Sequence, residues 1–251
     1  MTFAIEALQE SVNHLREITE GLTDSQLVAS AHPTEWTVAD VLSHLGSAAI
    51  ISKRRLDDGV EGREMPPEFA QSVWDVWNLK TPHAQATDSL LADAALEERI
   101  GEVTPEQREA FSWSLGPISL DFNGFVNMRL GEHALHTWDI EEAFDTNATL
   151  QRDAVPIIID NLDLLVRFTA KTDGSGETLR IRTTEPQRDF VLTLGADGVT
   201  LEPGEPTDTH DLELPAEAFI RLVYGRLDAE HTPPSVTSEH LEKLRTVFPG
   251  M

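Results

Sequence analysis

The sequence predicts an α+β protein, a helical N-terminal region over residues 1–147 followed by a smaller mixed domain over residues 148–251. Three observations lead there. Apolar residues recur every three or four positions through most of the first region, the spacing of amphipathic helices. Between Leu179 and Leu201 the period falls to two, as in half-buried strands. The last long helical pattern of the first region is polar at its centre and apolar at both ends, as expected where facing helices of an antiparallel four-helix bundle build a site between them.

Each element follows from local pattern. Ile5, Leu8, Val12, Leu15, Ile18 and Leu22 form the stripe of a first helix over residues 3–22, with Gly21 near its end. After a polar stretch around His32 and Pro33, Thr37 reads as an N-cap with Asp40 at the third helical position. That helix runs to about residue 55, with Val41, Leu42, Leu45, Ala48 and Ala49 on its apolar face and His44 beside them. Residues 66–80 are ambiguous. Residues 87–100 are helical by pattern, and Thr104-Pro105-Glu106-Gln107 starts a short helix. Residues 113–117 break the pattern, and a long helix follows over residues 119–144. In the second region, residues 153–169 are helical and 171–176 a turn. Residues 179–183, 190–194, 199–201 and 211–214 read as strands, with Asp197-Gly198 as a turn, and residues 215–224 return to helix.

Composition narrows the function. A length of 251 residues suits two ordinary domains. The net charge of −25, from 44 acidic against 19 basic residues, repels phosphates, so no nucleic-acid or anionic-membrane partner is expected. No apolar run approaches the roughly 20 residues that cross a bilayer, and residues 1–10 carry no basic, apolar signal pattern. The expected location is the cytoplasm. There are no cysteines, so thiol chemistry here would use a thiol carried by a small molecule.

The chemistry-bearing residues are His44 on one helix and Glu132 with His136 on another. An i,i+4 pair shares one helical face, so a carboxylate oxygen and an imidazole nitrogen can converge on one point. Two His and one Glu suit zinc with a position left open, and nickel, manganese or ferrous iron fit the same donors. His133 is turned about 100° from Glu132 and is the weaker ligand candidate. Asp139, three residues past His136, is placed to accept a hydrogen bond from its ring. The donors alone leave open a hydrolase using metal-bound hydroxide and a non-catalytic ligand-binding protein whose metal braces the helices.

The run Trp36-Thr37-Val38-Ala39-Asp40-Val41-Leu42-Ser43-His44-Leu45 and the later Arg129-Leu130-Gly131-Glu132-His133-Ala134-Leu135-His136-Thr137-Trp138-Asp139-Ile140 resemble the two metal-binding signatures of the mycothiol-dependent maleylpyruvate isomerase family. The resemblance implies a DinB-like metal-binding bundle followed by a sterol-carrier-like α+β domain; a monomer or homodimer is the expected assembly. The resemblance also implies zinc held by His44, Glu132 and His136, and mycothiol, the small thiol of actinobacteria, as cosubstrate. In the isomerase the thiolate adds to the double bond of maleylpyruvate, rotation follows, and the thiolate leaves to give fumarylpyruvate; relatives transfer mycothiol to an electrophile instead. Tyr224-Gly225-Arg226 resembles the ending of the family's C-terminal helix, which implies Arg226, or secondly Arg221, as a cation for substrate carboxylates. Arg129 is expected to steady Glu132 or a carboxylate near the metal.

Overall fold

The computed structural model describes residues 2–32, 35–116 and 118–250; Pro33 and Pro117, within segments discussed above, lie outside them. The chain divides into two compact units, Met1–Ala148 and Thr149–Met251. No helix among the described residues is long and apolar enough to cross a membrane.

The first unit contains α1 (Thr2–Glu20), α2 (Asp24–Leu27), α3 (Val38–Val60), α4 (Phe69–Trp77), α5 (Pro82–Glu102), α6 (Pro105–Ala110), β1 (Trp113–Leu115), β2 (Ile118–Leu120) and α7 (Phe122–Glu142). The long helices α1, α3, α5 and α7 form the bundle: α1 packs on α5 and α7, and α3 packs on the same two. Apolar stripes meet in the middle, where Leu15, Val38, Val41, Leu42, Leu45, Leu90 and Ile140 are buried together. Burial of these stripes is the main source of helix stability here.

Helix starts agree with their caps. Thr37 accepts from the Asp40 amide at 3.2 Å while the Asp40 carboxylate accepts from the Thr37 amide at 2.9 Å, a reciprocal cap that fixes where α3 begins and hence where His44 falls. α5 begins at Pro82 behind the Thr81 cap, one turn earlier than periodicity indicates. α7 begins at Phe122, because Asp121 caps it through the Gly124 amide at 2.8 Å. Ile118–Leu120 instead pairs antiparallel with Trp113–Leu115. The ambiguous segment resolves as α4.

The second unit contains α8 (Val155–Ile159), α9 (Leu162–Thr169), β3 (Thr178–Thr184), β4 (Arg188–Gly195), β5 (Gly198–Pro203), β6 (Leu212–Pro215), α10 (Ala216–Val223) and α11 (Leu241–Val247). Its sheet has the order β5-β4-β3-β6, with β6 parallel to β3 and the other pairings antiparallel. Leu179, Ile181, Leu192, Leu194, Val199 and Leu201 fill one face, the alternation expected of a sheet covered on one side. The single helix expected over residues 153–169 is two, broken where Asn161 leaves helical geometry at φ −124.

Candidate metal centre

α3 and α7 lie side by side and bring His44, Glu132 and His136 together. One ligand atom from each lies within 4.8 Å of the others. His44 Nε2 is 3.6 Å and His136 Nε2 is 3.8 Å from Glu132 Oε2. Both separations exceed hydrogen-bond length. They are a few tenths of an ångström wider than the about 3.3 Å between tetrahedral donors that bond lengths of 2.0–2.1 Å imply. His44 Nε2 is buried without a hydrogen-bond partner among the described residues, a costly state for a polar atom unless something else fills its valence. The donor types and the orphaned nitrogen fit a divalent cation.

The charge states suit that use. Burial lowers the His44 pKa, and His136 and Arg129 reinforce the effect against the pull of Glu132, so the imidazole is held neutral below its ordinary range. Burial works to raise the Glu132 carboxyl, but His44, His136 and Arg129 outweigh it and hold it at about 2. A neutral imidazole and an ionised carboxylate are the ligating forms. His136 Nδ1 lies 2.8 Å from Asp139 Oδ2, and Asp139 is fully buried. A ring nitrogen donating to this carboxylate leaves Nε2 with its lone pair directed at the other two ligands.

One wall is aromatic. The Trp36 ring stands 5.4 Å from that of His44 and 6.1 Å from that of His136, stacked on the latter at 17°. Trp36 is held there by a hydrogen bond from the Ala31 amide to the Trp36 carbonyl at 2.9 Å and a bridge between Ser30 and Thr37. An apolar wall beside the ligands lowers the local dielectric and strengthens every charge interaction within.

Residues 8–141 match the family model described as the mycothiol maleylpyruvate isomerase N-terminal domain. The chain belongs to that family. All three candidate ligands fall inside the matched residues of the mycothiol maleylpyruvate isomerase domain. The solved structure of a mycothiol-dependent maleylpyruvate isomerase is similar over 94% of this chain and 95% of that one, at 15% identity and a TM-score of 0.66. A histidine-to-alanine mutant so described gives the same coverage, at 14% identity and a TM-score of 0.65. At such identities the likeness shows that the fold is shared. No curated protein sequence matches the chain.

The other sequence-selected residues divide between the two units. Arg129 lies on α7 with 3% exposure; its Nη2 donates to Asp93 at 2.5 Å and to the Leu45 carbonyl at 3.1 Å. His133 is fully buried, with Nδ1 2.7 Å from Ser11 Oγ, so its ring is engaged away from the ligand set. Arg221 and Arg226 belong to the second unit and are buried there. Arg221 grips Glu217 at 2.8 and 3.0 Å and donates to the carbonyls of Arg226 and His231. Arg226 Nη1 donates to the Tyr224 carbonyl at 2.7 Å.

Two contributors escaped sequence reasoning: Asp93 and the wall role of Trp36. Asp93 had a readable signal, because it occupies the apolar stripe of α5 between Leu90 and Leu96. An acid at a stripe position is buried and therefore needs a partner.

Proposed function

We propose that this chain is a mycothiol-dependent enzyme in which His44, Glu132 and His136 hold zinc and an incoming thiol is activated there. The observation that carries the reading is the orphaned, buried His44 Nε2, 3.6 Å from Glu132 Oε2, which in turn stands 3.8 Å from His136 Nε2, with all three ligand atoms within 4.8 Å of one another. Family membership supports the thiol, and the lack of any cysteine fits a reaction whose sulfur arrives with a cosubstrate. Bound at this point, zinc would lower the pKa of a thiol so that thiolate is present at neutral pH.

The chain's own residues prepare that chemistry. Asp139 fixes the orientation of His136. Glu132 brings the negative charge that offsets part of the metal's. Trp36 excludes water from one side. Arg226 enters the reading as the carboxylate-facing cation, on the resemblance of the Tyr224-Gly225-Arg226 segment.

Of the two reactions open to an activated thiol, cis-trans isomerisation of a maleylpyruvate-like substrate is the one the family's description carries. Transfer of mycothiol to an electrophile uses the same centre and differs in the pocket, which fold alone does not fix. Incubating the zinc-loaded protein with maleylpyruvate, with and without mycothiol, tests the reading. Turnover that needs mycothiol and is lost in His44→Ala is expected; thiol-independent hydrolysis of ester substrates, also lost in His44→Ala, would replace it with the hydrolase.

A further inference from the structure

We propose that Arg129 and Asp93 form a brace that sets the separation of His44 from Glu132 and His136, which makes both of them positioning residues for the metal centre. The inference rests on the metal reading above and names what keeps its ligands in place.

The three ligands come from two helices, so their geometry depends on how α3 and α7 are held beside each other. Arg129 stands on α7 one turn before Glu132, and its Nη2 donates at 3.1 Å to the carbonyl of Leu45, the residue after His44 on α3. One side chain therefore links the helix of Glu132 and His136 to the peptide adjoining His44. Asp93, on α5, takes the same Nη2 at 2.5 Å and stops the guanidinium from swinging away. Its second oxygen is 3.5 Å from His133 Nε2, and His133 in turn meets Ser11 on α1 at 2.7 Å. All four bundle helices are thus tied at the level of the metal ligands. The ties are inaccessible: Ser11 and His133 are 0% exposed, Asp93 2% and Arg129 3%. The order Ser11, His133, Asp93 imitates a nucleophilic triad, but a serine with no exposed surface meets no substrate.

A positional role and a merely electrostatic one make opposite predictions. The guanidinium is a positive charge close enough to hold down the Glu132 carboxyl, so by charge alone it opposes cation binding at that carboxylate. Removing it would then raise metal affinity. If Arg129 acts by holding His44 against Glu132 and His136, removing it lowers affinity, as loss of outer residues that orient metal ligands does by about 10–100-fold.

The test measures zinc affinity of the full chain by competition with a chromophoric chelator, alongside far-ultraviolet circular dichroism of the apo protein. The variants are Arg129→Met, Arg129→Lys and the double substitution Asp93→Leu with Arg129→Met. The double variant removes both buried charges together, a change that folded proteins often accept, and so keeps the question open to measurement if the single variant fails to fold. The brace predicts about 10–100-fold weaker zinc binding in the folded Met variants at unchanged one-site stoichiometry, with partial recovery in Arg129→Lys. Affinity equal to or above wild type in a folded Met variant overturns the brace alone. Absence of zinc binding by the wild-type chain overturns the metal reading and the brace with it.

Discussion

Two clusters of ionisable groups sit within one turn of each other on α7 and differ in how their charges are met. At the brace, Asp93 and Arg129 are in direct contact at 2.5 Å and almost wholly buried. At the metal centre, the side chains of His44 and Glu132 keep 34% and 28% of their surface, and the donors stand 3.6 and 3.8 Å apart. At the brace the opposite charges meet at contact and lie out of a ligand's reach, although Asp93 Oδ2, Arg129 Nε and Nη1 and His133 Nε2 make no hydrogen bond among the described residues. Groups that converge without touching leave room for a third charge. Spacing and access, more than residue type, separate the structural cluster from the binding one.

The largest expected effect is on the metal. His44→Ala should remove bound zinc altogether by elemental analysis while leaving the thermal midpoint of the apo protein close to wild type, because the ring keeps about a third of its surface and its Nε2 makes no hydrogen bond that would be lost. A His44→Ala protein that keeps one equivalent of zinc would remove His44 from the ligand set.

Asp93→Asn should act first on stability, with a loss in urea on the order of 3–5 kcal/mol because it strands the Arg129 charge in the interior, and should weaken zinc binding as the brace requires. Its pH dependence has a definite sign. Burial works to raise the Asp93 carboxyl, but Arg129 and His133 hold it below the ordinary range. A depressed carboxyl contributes stability that is present above the unfolded value of about 3.9 and is lost as pH falls below that value. Wild type should therefore lose stability in acid more steeply than Asp93→Asn, and parallel acid profiles would remove Asp93 from the account.

A smaller effect is expected one step out from the metal. Asp139→Asn keeps the shape but no longer requires a proton on His136 Nδ1, and zinc affinity should fall by about 10–100-fold in a competition assay. No change would make the Asp139 contact a packing feature. The least direct change is Gly46→Ala, two residues past His44. An added Cβ would stand 2.2 Å from the Trp77 ring and 2.8 Å from the Ser89 backbone, so α3 and α5 must separate. The expected loss is about 1–3 kcal/mol in thermal or urea unfolding; a neutral result would mean the interface yields without cost.

The metal centre was more legible in the sequence than its support. Thr37 and Asp40 announce the start of α3, which fixes the face that carries His44, and Glu132 with His136 show their i,i+4 relation directly. These are local signals. Asp93 stands on an apolar stripe, which flags it as buried, but nothing local says that its partner is Arg129, a contact made only once α5 and α7 pack. The break at Asn161 is also silent, because neither proline nor glycine occurs among residues 157–169 and the apolar period runs straight through. Strands β1 and β2 are three residues each, too short for an alternating pattern to stand out.

The most direct test of the central claim is a calorimetric titration of the zinc-loaded protein with mycothiol, with metal content measured on the same sample. The account predicts one equivalent of zinc and saturable thiol binding that disappears in His44→Ala. Zinc at full occupancy with no thiol binding would contradict it, and would leave the metal as a brace in a ligand-binding protein or as the centre of a hydrolase.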